Sequence, residues 1–343
     1  MLISDENINL KDGTGIKISQ YETPAPELSN TIIPFLIHKG PSWLSDIRNR
    51  LNGEYPESTD RFFLASVNEK PVSHLWLTTS KENRTIGLLG HIFTSEKHRG
   101  RGISSVLLEA AHSYFFNAGG KILILQTSNP VAWKYYSSRG YITLFGDTSK
   151  NETAMMYKEA KTGDFNKLIE LEKDAYWVER RNLLTGDLAA LEFLYCIADD
   201  KPITIKNGLH GVLSGYETEG IFGELFKKDA VTEKPVYLNK VEAGTNMLRS
   251  VITVRKRTLS IERISDIDFF ILPGFEKGFY ELAEETFAEL ENFPQLILEH
   301  KGFDNEKFRI LKDFGFKKVR EEENYYLYRG EMINASVYRK KLP

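Results

Sequence analysis

One cysteine, Cys196, stands in 343 residues. No intrachain disulfide can form and no cysteine-based metal site can be built, which fits a reducing, cytoplasmic setting. The seven histidines form no His-x-x-x-His pair and meet no clustered carboxylates, so no metal is expected. No apolar run approaches the roughly 20 residues that cross a bilayer, and no membrane partner is expected. Met1-Leu2-Ile3-Ser4-Asp5-Glu6 lacks the basic and apolar regions of a signal peptide. An excess of either charge is missing too: the net charge is −3. Residues 1–158 sum to +2 and 159–343 to −5, so neither part has the basic excess of a nucleic-acid binder. The tight basic run Arg255-Lys256-Arg257 reads as a solvated strand end.

What remains is an ordinary globular composition, 41% apolar and 27% charged, in a chain long enough for about two domains. The first region alternates α and β. Ile16–Tyr21 reads as a strand. Leu28–His38 and Trp43–Leu51 read as helices, the second with Ser42 as a candidate N-cap. After the acidic turn Gly53–Asp60 come two strands, Arg61–Val67 and Val72–Thr79, joined by the hairpin signal Asn68-Glu69-Lys70-Pro71. Ile142–Phe145 and Thr153–Lys158 close the region, which sets a boundary at 158/159.

Between these elements lies the segment Ile86–Tyr141. An apolar strand, Ile86–Phe93, runs into His98-Arg99-Gly100-Arg101-Gly102-Ile103-Ser104-Ser105. The helix Val106–Phe116 follows, then a Gly119-Gly120 stop, the strand Ile122–Leu125 and a second helix, Asn129–Arg139, ending at Gly140-Tyr141. Glycines at a strand-to-helix turn let backbone N–H groups approach an anion, and the helix N-terminus adds about half a positive charge there. Ser104 and Ser105 can help cap the helix. No acidic residue occurs in it before Glu109, so nothing repels a phosphate. A lone Gly-x-Gly turn binds nothing in many proteins; the strand before it and the helix after it give this one its meaning.

This segment resembles the GNAT acyltransferase superfamily, whose first motif reads Arg/Gln-x-x-Gly-x-Gly/Ala. Arg99, Gly102 and Ser104 occupy the defined positions, with serine in place of the usual Gly or Ala. Asn129, Ala132, Tyr136, Gly140 and Tyr141 match a second motif, Asn-x-x-Ala-x-x-x-Tyr-x-x-x-Gly-aromatic. The resemblance covers 86–141 closely and extends through the strand order to about 16–158. It implies that backbone groups of Arg99, Gly100, Arg101, Gly102, Ile103, Ser104 and Ser105 surround the pyrophosphate of acetyl-CoA or another acyl-CoA cosubstrate. Phe93 and Thr94 would lie along the pantetheine like an added strand, and Asn129 would bond the same arm. Tyr136 would protonate the leaving thiolate, which a phenol can do when closely placed. Without the motifs, Tyr136 would read as a packed helix aromatic.

The general base stays open among His74, His91, Glu54, Glu57, Asp60 and water. In some relatives a Glu or His precedes the motif arginine by an odd number of strand positions. Here those positions are Ile86, Leu88 and Gly90. His91 falls at an even offset, so alternation would turn it to the opposite face.

Residues 159–343 open with Gly163-Asp164-Phe165 and a helical pattern, Leu168–Trp177. Their middle, Asp199–Lys240, is strand and turn. Their end repeats the order strand (Ile267–Leu272), acidic helix (Phe279–Leu290), strand (Gln295–Leu298), helix (Lys307–Phe314), Gly315-Phe316. This reads as a diverged internal repeat. Leu272–Gly278 has no Arg-x-x-Gly-x-Gly, and the next helix carries Glu281, Glu284 and Glu285, which disfavour phosphate. Counted back from Gly315, Asp304 replaces Asn129 and Leu311 replaces Tyr136. Cys196, with no basic neighbour, reads as an inert buried thiol.

The expected fold class is mixed α/β: a GNAT-type, largely antiparallel sheet flanked by helices, twice in tandem. Domain 1–158 would carry catalysis, and 159–343 would shape the acceptor site or an interface. The expected reaction is direct attack of an amine on the thioester through a tetrahedral intermediate. The acceptor, a small molecule or a peptide, is not named by any residue, and a homodimer is left open. The alternative is a non-catalytic CoA sensor or assembly module of the same fold.

Overall fold

The structure, a computed structural model, describes residues 1–150, 153–174, 177–191, 237–245, 247–256, 264–272, 274–290, 295–301, 305–328 and 331–342. Cys196, Asp304 and most of Asp199–Lys240 lie outside the described residues. The chain forms two compact units, Met1–Asp174 with Leu184–Cys196, and Ala175–Leu183 with Ile197–Pro343.

The first unit runs β1 (Leu2–Asn9), β2 (Gly15–Glu22), α1 (Ser29–Phe35), α2 (Pro41–Asn52), β3 (Ser58–Val67), β4 (Lys70–Ser80), β5 (Ile86–Thr94), α3 (Ile103–Asn117), β6 (Ile122–Thr127), α4 (Pro130–Ser137), β7 (Ile142–Phe145), β8 (Ala154–Glu159) and α5 (Asp164–Asp174). Its strands form one sheet in the order β1-β2-β3-β4-β5-β6-β8-β7, antiparallel except for β5 and β6. Asn68 and Glu69 join β3 to β4 with φ of 48° and 61°, the primed two-residue turn that suits strand twist.

Two cores explain why β3 and β4 read as near-continuous apolar runs. On one face Phe63, Leu75, Leu77, Leu89, Leu123 and Met156 pack against Ile103, Leu107, Ala111 and Phe115, the inward stripe of α3. Each such side chain contributes about 1.5–3 kcal/mol on burial. On the other face Trp76 lies beneath α2, with the Arg50 guanidinium 4.5 Å from its ring. Arg50 is itself fully buried. Its Nε donates to Asp46 at 2.9 Å and its Nη1 to Asp60 at 2.7 Å, and Trp76 Nε1 donates to Asp60 at 2.9 Å. Gly40, at φ 91°, is the N-cap of α2 with Pro41 at its first position, in place of the expected Ser42 cap.

The second unit runs β9 (Glu179–Asn182), β10 (Tyr237–Ala243), β11 (Leu248–Lys256), β12 (Ile264–Ile271), α6 (Glu276–Ala288), β13 (Gln295–Lys301), α7 (Asn305–Asp313), β14 (Lys317–Tyr328) and β15 (Glu331–Lys341). Its sheet order is β14-β15-β13-β12-β11-β10-β9. Read from β9, this is the order β2-β3-β4-β5-β6-β8-β7 of the first unit. The single parallel pair, β12 with β13, falls at the same place. Helices α6 and α7 follow the same strands as α3 and α4, and α6 packs Phe279, Leu282 and Ala283 on Ile252, Phe269 and Ile271.

The division differs from a cut after residue 158. Helix α5 packs with the first unit, because Phe165 stacks on Tyr157 of β8 at 4.4 Å and Glu159 accepts the N–H groups of Gly163 and Phe165.

Candidate active site

Strands β5 and β6 pair only through Ile86↔Ile122, Gly87↔Leu123 and Leu88↔Ile124, although β5 continues to Thr94 and β6 to Thr127. Beyond Leu88 the two strands part and leave a cleft whose walls are backbone edges, which must find partners elsewhere. A β-bulge marks the parting. The β4–β5 register runs from His74↔Phe93 to Trp76↔Gly90, so β5 holds an extra residue, and His91 has φ 54°. Gly90 permits this packing, since a Cβ there would lie 2.7 Å from the Trp76 ring.

The bulge overturns the alternation argument for His91. Its ring lies on the α2 side with Trp76 and Gly90, 4.5 Å from Trp43 and 5.3 Å from Trp76. Strand parity counted through a bulge is off by one. His74 Nδ1 bonds the His91 carbonyl at 3.1 Å, and Nε2 of both rings is buried with no hydrogen-bond partner among the described residues. Burial, and next the Lys39 ammonium, hold His91 well below the usual imidazole range. Burial lowers His74 to about 4 against the bond to the His91 carbonyl. Both rings are neutral at pH 7.

At the mouth of the cleft, Gly100 and Gly102 have φ of 78° and 84°, and a Cβ on either would meet nothing within 4 Å. Gly102 is the N-cap of α3 with no side-chain cap bond, and the first turn holds no acid. The leading N–H groups of α3 therefore face open space with the positive end of the helix dipole behind them, which suits a phosphate. Ser105 does not cap. Its Oγ accepts from Arg139 Nη2 at 2.5 Å and from Tyr135 at 3.4 Å, and the guanidinium stacks on the Tyr135 ring at 3.6 Å. Ile103 is buried and anchors the turn to the core. Arg99 and Arg101 stay exposed. The first donates to the Thr94 carbonyl at 3.1 Å, and the second reaches Thr14 at 3.4 Å and Asp12 at 3.9 Å. Ser73 Oγ, on β4, bonds the Phe93 carbonyl at 3.0 Å, and Phe93 and Thr94 pair with His74 and Ser73 in the β4–β5 ladder. Beside Ser105, a cavity of about 680 Å³ is lined by Leu108, His112, Arg139 and Lys158.

Asn129 Oδ1 caps α4, accepting from the N–H groups of Val131 at 2.9 Å and Ala132 at 3.5 Å, which leaves its amide N–H₂ to donate. Tyr136 is buried among Tyr135 and Tyr141, with ring centroids at 5.3 and 5.7 Å. Its hydroxyl has no hydrogen bond among the described residues. Burial and the Tyr135 phenol push its pKa up, so the proton is held at neutral pH.

Asp60 belongs to β3 rather than to a loop, and it is buried on Arg50 and Trp76. Glu57 accepts from Thr185 Oγ1 at 2.6 Å, and Glu54 is exposed. Of the candidate bases, His91 alone is at the bulge itself. The Arg50 network was not readable as such, because Asp46, Arg50 and Asp60 meet only across α2 and β3; the i, i+4 spacing of Asp46 and Arg50 was its one local signal. Among the described residues no three His, Cys, Asp or Glu gather around a metal-sized space, and no helix is long and apolar enough to cross a membrane.

Residues 29–141 match the model of the acetyltransferase (GNAT) family. No curated protein matches the chain. Among solved structures, the ribosomal-protein-S18-alanine N-acetyltransferase of Escherichia coli is 16% identical, covering 48% of this chain and 94% of its own, with a TM-score of 0.35. A GNAT-family acetyltransferase of Streptococcus pneumoniae is 17% identical, covering 49% and 100%, with a TM-score of 0.38. The spermidine/spermine N-acetyltransferase of Vibrio cholerae is 14% identical, covering 48% and 92%, with a TM-score of 0.34. The matched residues contain the bulged strand, the uncapped helix and both motifs, and the N-terminal half of this chain is a domain of the GNAT acetyltransferase family.

Proposed function

We propose that the N-terminal domain transfers an acetyl group from acetyl-CoA to an amine, and that the second unit is a diverged copy without that activity. The observation that carries the reading is the parting of β5 from β6 beyond Leu88, with β5 leading through the glycine turn into an α3 N-terminus that has no side-chain cap. The N–H groups after Gly102 would hold the pyrophosphate, with Arg99 and Arg101 adding positive charge at the mouth. The free edge of β5 through Phe93 and Thr94 would bond the pantetheine, and the Asn129 amide would donate to it.

The amine nitrogen attacks the thioester carbonyl carbon. The C–N bond forms, a tetrahedral intermediate collapses, and the C–S bond breaks. Tyr136 fits the role of proton donor to the departing sulfur: its phenol keeps its proton at neutral pH and has no competing partner among the described residues. His91 fits the role of proton acceptor from the attacking nitrogen, since it is neutral and its Nε2 is unengaged.

Two measurements test this. Acetyl-CoA should raise the melting temperature in proportion to its occupancy, and thiol should be released with at least one member of an amine panel. No thermal shift at millimolar acetyl-CoA would overturn the reading. A shift without turnover by any amine would favour a CoA sensor instead.

A further inference from the structure

The 3₁₀ turn Ile37–Lys39 joins α1 to α2 and sets His38 against Phe93, ring centroids 4.1 Å apart. Phe35 meets the same ring edge-on at 5.2 Å, and Trp43 meets His91 edge-on at 4.5 Å. Phe35, Trp43 and Phe93 are each half-buried, so this aromatic wall beside the bulge is not closed over by the core.

Lys39 follows His38 in the same turn and is also half-buried, its charge acting on His38 and His91. Its ammonium makes no ion pair or hydrogen bond among the described residues. Losing water without gaining a partner is costly for a cation. Carboxylates on this side of the sheet do not relieve it, because Asp46 and Asp60 are held by Arg50. The charges that act on the neighbouring rings are all positive: Lys39 and Arg99 on His38, and Lys39 and Arg50 on His91. The place where an amine would enter is therefore aromatic, short of negative charge, and provided with one unmatched cation.

We propose that the acceptor is an amino acid, or another amine that bears a carboxylate, whose carboxylate pairs with Lys39 while its apolar body lies on Phe35, Trp43 and Phe93. This rests on the acetyltransferase reading above. The amino nitrogen forms the new C–N bond to the acetyl carbon, the C–S bond breaks, the amine proton leaves to the base, and the sulfur takes a proton to give free CoA. The carboxylate is unchanged and serves only to hold the acceptor. A polyamine or a lysine-rich peptide would bring further positive charge to Lys39 with nothing to offset it, so such acceptors are disfavoured.

The test pairs each amino acid with the amine that lacks its carboxylate: phenylalanine with phenethylamine, tryptophan with tryptamine, leucine with isoamylamine. Spermidine is added as the polycation. In the full chain, at least one amino acid should exceed its partner amine in kcat/KM by about tenfold or more, as one charge-assisted pair provides. Lys39→Met should remove that advantage by raising KM for the amino acid. Any change in kcat from losing the Lys39 charge beside His91 should be shared by the partner amine, whose KM should not change, and Lys39→Arg should restore most of the loss. Calorimetric titration of the same amino acid into protein saturated with CoA should weaken by a similar factor in Lys39→Met. Equal or better turnover of the decarboxylated amines or of spermidine would overturn the proposal, as would an unchanged KM in Lys39→Met. So would acetyl-CoA binding with no amino acid bound or acetylated. In these cases the acetyl-CoA thermal shift still stands for the underlying reading. Absence of both that shift and any turnover would bring down the two together.

Discussion

Strand for strand the two units carry the same sheet, and in both the parallel pair holds for three residues before the strands go on unpaired. They differ in what stands at the parting. In the first unit β5 is bulged at His91, with the small residues Gly90 on that strand and Ala132 on α4. In the second, the β11–β12 register runs unbroken from Ser250↔Ile271 to Lys256↔Ser265. Matched through the parallel ladders, Asp268 takes the place of Gly90. Matched through Gly140 and Gly315, Lys307 takes the place of Ala132. Lys307 Nζ, buried, donates to the Asp268 carboxylate and, at 3.1 Å, to the Phe269 carbonyl, and Asp268 accepts the Phe269 N–H at 2.8 Å. A buried side-chain pair thus stands at positions where the first unit has only Gly90 and Ala132. The same scaffold makes a cleft or a plug according to two or three side chains, because an open backbone edge must be satisfied one way or the other.

The comparison breaks most severely at Gly102. Valine there would force a β-branched residue to φ 84° and place methyl groups where the pyrophosphate should lie. Gly102→Val should abolish the acetyl-CoA thermal shift while the protein still folds; an unchanged shift would refute the anion site. Lys307→Met should next cost the second unit about 3–5 kcal/mol, because it leaves the Asp268 charge buried and unpaired. Pairing it with Asp268→Leu should recover most of that loss, and acetyl-CoA affinity should not move in either protein. Denaturant melts followed by circular dichroism would show it, beside tryptophan emission, to which three of the four tryptophans, Trp43, Trp76 and Trp133, contribute from the first unit and Trp177 from the second. Tyr136→Phe should lower kcat by about 10² with acetyl-CoA binding nearly unchanged, as for loss of a proton donor. Its counterpart Leu311, fully buried, should on change to Ala cost about 2–5 kcal/mol of stability and leave the thiol-release chemistry intact. Full kcat in Tyr136→Phe would remove Tyr136 from the mechanism.

A further effect, spread over several pH units, is the response to acid. Burial lowers His74 to about 4 and His91 well below its usual range; burial, then Lys158, lowers His112 to about 4. Unfolded, each would titrate near 6.5. Below that pH the unfolded chain binds more protons than the folded one, so stability rises with pH. The first unit should keep its full stability above about pH 6.5 and lose it as the pH falls toward 4, at up to about 1.4 kcal/mol per pH unit for each histidine. A melting temperature that stays flat from pH 7.5 to 4.5 would show that these rings are not held neutral.

Much of the candidate site's local geometry was legible because it is set over a few residues. Gly100, Gly102 and the helix start after them follow one another in the chain, and Asn129 to Tyr141 lies on one short helix and its stop. The hairpin at Asn68-Glu69 and the Gly-aromatic stops at 140–141 and 315–316 are local in the same sense. What was misread depends on partners far along the chain. Ser105 suggested a cap, but Arg139, just past the end of α4, takes its hydroxyl. Asp60 suggested an exposed base, but Arg50 takes it into the core.

The sequence by itself determined the order of helices and strands, the glycine turn before α3, the phenol on the second helix and the repetition of that order in the second unit. Each of these is set by steric preference and side-chain period over a few residues. Only the tertiary structure decided on which side of the sheet His91 stands, which carboxylates are spent on Arg50, that Lys39 has none among the described residues, and that Lys307 pairs with Asp268. These follow from register, one added residue in β5 and charges brought together across elements. Such pairings are fixed by packing, and no local pattern along the chain records them.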